Sequence, residues 1–211
     1  TDLTKGANYA VYARSVCGTD TGTWIQPLTF GTLCDVYTID ASKMYSESFN
    51  SYSNHPMDFP ACYTRVKTHV ELGVEYPKLT KARDGEGDKN VLHLYKDVVL
   101  ALPEFSLSGE RLMIMFNSYN PDGGTYYKLG LQEDLSDETT FMEVEEFYAS
   151  TLLRQQIVDF SQYKVSGKYI VFKGSTKTNS VYIDNVVVSK APECFAPTDL
   201  KLKALGDTFA I

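Results

Sequence analysis

Histidine, tryptophan and cysteine are scarce here: three, one and four residues in a chain of 211. Each scarcity removes chemistry. His55, His69 and His93 show neither HExxH nor any other metal-ligand spacing. Cys17, Cys34, Cys62 and Cys194 contain no CxxC pair, which argues against zinc, and they leave three complete disulfide pairings open. No GxSxG elbow, Walker loop or GxGxxG motif occurs. No apolar run approaches the ~18–20 residues of a membrane-spanning helix, so no membrane insertion is expected. No basic segment followed by an apolar one opens the sequence, which places any export signal outside it. Positive charge is also short. Twenty Lys and Arg face 27 Asp and Glu, a net charge of −7, which argues against nucleic acid as a partner.

What is abundant points to strands. Hydrophobic residues make up 43% and charged residues 22%, enough for a packed core. Fifteen Tyr and eleven Phe are an aromatic usage typical of β-structure. Short strand patterns appear at 8–16, 91–95, 112–116, 126–131, 169–173 and 181–188. Turn-forming residues separate them: Asn120-Pro121-Asp122-Gly123-Gly124, the 84–88 run and Val165-Ser166-Gly167-Lys168. Residues 142–157 carry Leu152, Leu153 and Ile157 near helical spacing, yet strand–loop–strand is expected there. His93 lies inside the run VLHLY and reads as a strand residue, facing solvent or satisfied in the core. The pattern predicts an all-β sandwich or jelly roll rather than an α/β fold.

The two ends differ from the middle. "DLTKGANYAVYARSVCG" resembles the closing strands of a fibronectin type III domain, with Leu3 and Tyr9 where the tyrosine corner would place them. "APTDLKLKALGDTFAI" resembles the opening strands of another. Three units are therefore expected: residues 1–34 and 194–211 as partial fibronectin type III segments, with 35–193 between them. Neither end has the ~seven strands of a whole sandwich, so each should pack on the central unit, pair with the other end, or complete a neighbour.

The central unit resembles the jelly-roll modules of Bacteroidetes surface proteins, and more distantly MAM domains and the cleaved-adhesin domains of gingipain proteases. The matching stretches, in order, are "YSESFNSYSNHPMDFPACYTRV", "YYKLGLQEDLSDETTFMEVEEF", "QIVDFSQYKVSGKYIVFKG" and "SVYIDNVVVS". Tyr63 departs from the family, which more often has Trp after the Cys. The resemblance implies a fold, the jelly-roll β-sandwich, and a setting, export to the bacterial surface or secretion, without specifying a ligand. The function expected for such an architecture is a non-enzymatic module for adhesion or glycan recognition. An accessory domain of a larger extracellular hydrolase or protease, and a spacer without a small ligand, are the alternatives. The expected partners are extracellular or cell-surface glycans or proteins, with no nucleic acid.

Three sets of residues are candidates for function. Tyr119 and Tyr126 flank the 120–124 turn and Tyr76 precedes a proline, positions from which a ring can offer a platform to a sugar, although strand tyrosines more often pack in cores or cross-strand pairs. Asp184 sits in the strand VYIDNVVV, apolar on both faces, where a carboxylate needs a counter-charge or a metal. The jelly-roll resemblance implies calcium there, with Glu47 or Asn50 as further ligands. Asn50 stands where the family more often has an acid, which weakens the site. Asp84-x-Glu86-x-Asp88 with Asn90 lacks a later bidentate Glu and reads as a surface turn. The carboxylate pairs Glu143/Glu145 and Glu133/Asp134 read as solvated edges and turns rather than glycosidase acids. Cys34 and Cys194 border the central unit, and a sandwich often brings its ends together, so a Cys34–Cys194 bridge is one expectation.

Overall fold

Alternating apolar residues set the architecture. The structure, a computed structural model, describes residues 3–32, 34–53, 58–83, 89–106, 111–163, 169–176, 179–194, 203–205 and 208–210. Among these no α-helix occurs, and the helical segments are the 3-10 turns Glu138–Thr140 and Phe160–Gln162. The chain opens with β1 (Asn8–Val11), a ribbon of β2 (Val16–Cys17) and β3 (Asp20–Thr21), and β4 (Leu28–Gly31). Then follow β5 (Tyr45–Glu47), β6 (Thr64–Lys67), β7 (His69–Glu71), β8 (Val74–Tyr76), β9 (Lys78–Lys81), β10 (Asn90–Tyr95) and β11 (Val99–Glu104). The second half supplies β12 (Leu112–Tyr119), β13 (Thr125–Gln132), β14 (Phe141–Ala149), β15 (Arg154–Asp159), β16 (Tyr169–Lys173) and β17 (Ser180–Lys190). The short β18 (Lys203–Leu205) and β19 (Thr208–Ala210) come last.

Two antiparallel sheets make the jelly-roll sandwich. One runs β15-β12-β17-β10-β9, with β5 also on β17; the other runs β14-β13-β16-β11-β6. Their inner faces meet in one core that includes Leu92, Leu94, Ile114, Ile183, Leu100, Leu129 and Ile170. Phe116 of the first sheet stands edge-on to Phe147 and Phe172 of the second, with centroids 5.5 and 5.0 Å apart. Side chains alternate between faces with a period of two, so β12 buries Leu112, Ile114 and Phe116 on one side. Residues 142–157 form parts of β14 and β15, strands of opposite sheets. The connecting Leu152 and Leu153 are exposed, so their near-helical spacing carries no burial.

A bulge shapes β17. Pairing with β12 shifts between Met115 and Asn117, and Asn185 takes a positive φ of 50°. The extra residue restores burial, so Val181 and Ile183 before it and Val186 and Val188 after it all enter the core.

The disulfide corrects the expected Cys34–Cys194 pairing: Cys34 bonds Cys62, with Cα atoms 5.7 Å apart. Cys62 sits at a corner, φ 70°, where Tyr63 N–H donates to Pro60 O, and this corner returns the chain to Cys34. Cys17 and Cys194 are free and exposed. Gly6 lies against the bridge. A Cβ there would come within 2.6 Å of Cys62 Sγ, and Gly6 also has a positive φ, so glycine meets both demands.

The ends pair internally. β1 pairs with β4 and β18 with β19, and among the described residues neither hairpin pairs with the other. The hydroxyl of Tyr9 accepts the N–H of Thr4 at 2.6 Å.

Candidate carbohydrate-binding face

Adjacent tyrosines on a strand must face opposite ways. On β13, Tyr127 is buried against Phe147, with ring centroids 5.4 Å apart, so Tyr126 points outward. Its partner in register is Tyr148 of β14. The two rings are 58% and 51% exposed, with centroids 5.0 Å apart and planes inclined by 57°. Gly124 makes room for them, since a Cβ there would fall 1.6 Å from the Tyr148 hydroxyl. The turn glycine is thus part of the platform.

Beside Tyr126 lies an open cavity of about 250 Å³, lined also by Asp97, Lys128, Glu146, Lys173 and Asn179. Beyond Tyr148 a shallow hollow of about 390 Å³ is bordered by Glu146, Ser150, Arg154 and Gln156. Lys128 Nζ lies 2.6 Å from Glu143 and 3.8 Å from Glu146, and the Glu143 hydrogen bond holds its pKa above the usual lysine value. Lys173 sits with its ammonium 3.6 Å from the Phe141 ring centroid, and burial lowers its pKa. Flat rings can stack on sugar C–H faces while the flanking amides, carboxylates and ammonium groups bond hydroxyls.

Of the expected platform residues, Tyr126 belongs to this face. Tyr119 does not, and its assignment is corrected: it is 1% exposed, on the outer face of the other sheet. It stacks on Tyr182 at 5.1 Å, its hydroxyl accepts the N–H of Arg83 at 2.9 Å, and Ala82 packs on the pair. Tyr76 is also engaged, 4.9 Å from His93, 5.0 Å from Tyr95 and with Lys78 Nζ 5.0 Å from its centroid. Tyr148, Lys128, Glu146 and Lys173 were missed. The one signal for Tyr148 and Glu146 was alternation within 142–157, and it became readable only once that segment is a strand in register with β13.

The expected metal ligands divide between two places. Glu47 follows the core face of β17, opposite Val186; its Oε1 accepts Phe49 N–H at 2.6 Å and its Oε2 accepts the Tyr52 hydroxyl at 3.1 Å. Asn50 Oδ1 accepts Asn90 N–H at 2.9 Å, and Asn90 Nδ2 donates to Tyr52 O. Asp184 is 6% exposed but shares the face of Tyr182, two residues earlier; its carboxylate accepts Asn185 N–H at 2.7 Å and Asn185 Nδ2 at 3.2 Å. Strand alternation therefore separates Asp184 from Glu47. No group of three or more His, Cys, Asp or Glu able to hold a metal occurs among the described residues. Beside the segment that follows Glu47, the Oδ1 of Asn90 on β10 is a hard oxygen buried without a hydrogen-bond partner. The 84–88 acidic run and His55 lie outside the described residues.

Solved structures share this fold. The chain shares the β-sandwich fold of cleaved adhesin domains. The K1 cleaved adhesin domain of Lys-gingipain from Porphyromonas gingivalis W83 superposes with a TM-score of 0.51 at 16% identity, covering 71% of this chain and 99% of that domain. The K2 cleaved adhesin domain of Lys-gingipain gives 0.53 at 14% identity, covering 72% and 100%. A family 29 carbohydrate-binding module gives 0.42 at 17% identity, covering 69% and 91%. No protein-family model matches the sequence, and no curated protein matches it. No helix among the described residues is long and apolar enough to cross a membrane.

Proposed function

We propose that the chain is a non-catalytic glycan-recognition module of an exported or surface-displayed protein, and that it binds sugar on the outer face of the second sheet. The observation that carries this reading is the exposed, in-register Tyr126–Tyr148 pair beside a cavity lined by charged and amide groups. Large rings half in water gain nothing from the core, whereas a sugar ring would bury them. The test is titration calorimetry of the protein, and of Tyr126→Ala and Tyr148→Ala, against saccharides selected on a glycan array. Base–aromatic stacking is worth about 1–3 kcal/mol per ring; sugar stacking of comparable size predicts a roughly tenfold loss in each variant with unchanged melting. Equal binding by wild type and both variants refutes the site.

We propose two further features, one at the ends of the chain and one beside β5. Residues 1–34 and 194–211 are parts of fibronectin type III-like neighbours flanking the 35–193 sandwich; the Tyr9 hydroxyl on the Thr4 backbone supports this for the first segment. Calcium is a structural ligand of the Glu47 loop, its shell drawn from Glu47, Asn50, Tyr52 O and the orphaned Asn90 Oδ1, without Asp184. A chelator should then lower the melting temperature, and calcium at a hundred times its Kd should add about 2.7 kcal/mol. A melt indifferent to both removes the metal.

A further inference from the structure

The lysines of the glycan face are unequally partnered. Lys128 and Lys173 stand directly opposite each other on β13 and β16, and both line the cavity beside Tyr126. Like charges directly opposed across two strands are unfavourable. Lys128 is offset by Glu143 and Glu146. Asp97, also in the cavity wall, is held by Lys67. Among the described residues no carboxylate lies within ion-pair distance of Lys173. Asp97 and Glu138 act on it from farther away, and Lys67 and Lys128 oppose them.

Lys173 is nevertheless held in place. Its ammonium rests over Phe141, and that ring lies against Gly130, where a Cβ would come within 2.4 Å of it. The result is a partly desolvated, positioned cation with one side toward the cavity and no anion of its own. In a net-negative chain, a cavity wall where Lys173 has no carboxylate at ion-pair distance among the described residues suits a sparsely charged ligand better than a polyanion.

We propose that the face recognises oligosaccharides bearing an isolated carboxylate, a uronic or sialic acid residue, with Lys173 pairing the carboxylate while Tyr126 and Tyr148 stack on neighbouring sugar rings. This rests on the glycan reading above and adds the ligand's charge class. A charge-assisted hydrogen bond at a partly desolvated site corresponds to about a tenfold preference for the acidic sugar, weakening as salt rises.

The experiment is calorimetry with two matched pairs: aldotetraouronic acid against xylotetraose, and 3′-sialyllactose against lactose. Wild type, Lys173→Gln and Tyr126→Ala are compared at low and high salt, with thermal melts to show that each variant is folded. Tighter binding of an acidic member, a preference abolished in Lys173→Gln, and weakened binding in Tyr126→Ala support the proposal. Equal binding of acidic and neutral members, or a preference that survives Lys173→Gln, overturns it; the glycan reading then stands if Tyr126→Ala still weakens binding. Absence of binding to all four sugars overturns the proposal, and a blank glycan array overturns the glycan reading with it.

Discussion

Adding one methyl group at Gly130 tests how the Phe141 ring is held. Gly130 faces outward on β13 at a shift in the pairing with β14. A Cβ there would sit 2.4 Å from two Phe141 ring carbons and 2.5 Å from the carbonyl oxygen of Met142. A ring can swing, but a backbone carbonyl cannot leave without lifting the strand, so Gly130→Ala demands both. Overpacking of this kind costs about 1–3 kcal/mol, and the backbone contact places the expected value near the upper end. For a chain of this size each kcal/mol lowers Tm by about 2–4 °C, so a fall of roughly 5–10 °C should appear in circular dichroism melts. The cost should split between ring and carbonyl. In a Phe141→Ala background the same methyl should therefore cost about half as much, a coupling read from the double-mutant cycle. A Gly130→Ala protein that melts within a degree of wild type refutes the reasoning. So does a penalty equal in both backgrounds, because the ring then contributes nothing.

Removing the Cys34–Cys62 bridge, which spans 28 residues, should cost about 3.5 kcal/mol by loop-closure entropy, read as a lower denaturation midpoint in Cys34→Ser/Cys62→Ser; a midpoint within error of wild type contradicts it. Burial, aided by Lys78 and Arg83, pushes His93 down to about 4. Its folded pKa lies below the unfolded value of about 6.5, so its contribution is complete above pH 6.5 and is lost as pH falls toward 4, about 3 kcal/mol in all. Chemical denaturation across that window should show a slope that is much reduced in His93→Gln. Leu72, 97% exposed at φ 50° on the β7–β8 turn, gains no burial for its left-handed backbone; Leu72→Asn should raise stability by about 1 kcal/mol, and a loss would show that the side chain packs.

How legible these features were depended on how far their causes lie along the chain. The strand at 112–116 and the one at 126–131 announced themselves through local alternation, and the structure extends them to 112–119 and 125–132. The turn between them is equally local, with Asn120 Oδ1 accepting Asp122 N–H at 3.1 Å. Tyr119 and Tyr126, by contrast, flank that one turn with the same residue type and meet opposite fates. Tyr119 is covered by residues distant along the chain, Tyr182 and the 82–83 segment, whose Arg83 lies 36 residues away, and no periodicity reports that. The disulfide was hidden for the same reason, because Cys62 reaches Cys34 through a corner rather than a pattern. The bulge at Asn185 has a local trace in the sequence: asparagine tolerates a left-handed backbone far better than the valines around it.

The Cys34–Cys62 bridge has a mechanical consequence. Tension applied along the chain from before Cys34 toward β17 passes through the sulfur atoms to Cys62 and does not follow the intervening backbone. The segment between the two cysteines, which includes β5, is bypassed, and a pull cannot straighten it while the bridge is closed. Load reaches the sandwich at the corner ahead of β6 and leaves it from β17, which is flanked by β12 on one side and by β10 and β5 on the other. Stretched between its flanking segments, the oxidised molecule should extend by a contour shorter than the reduced one. The difference is the bypassed segment, about 28 residues at roughly 3.3–3.6 Å each, less the span of the bridge itself.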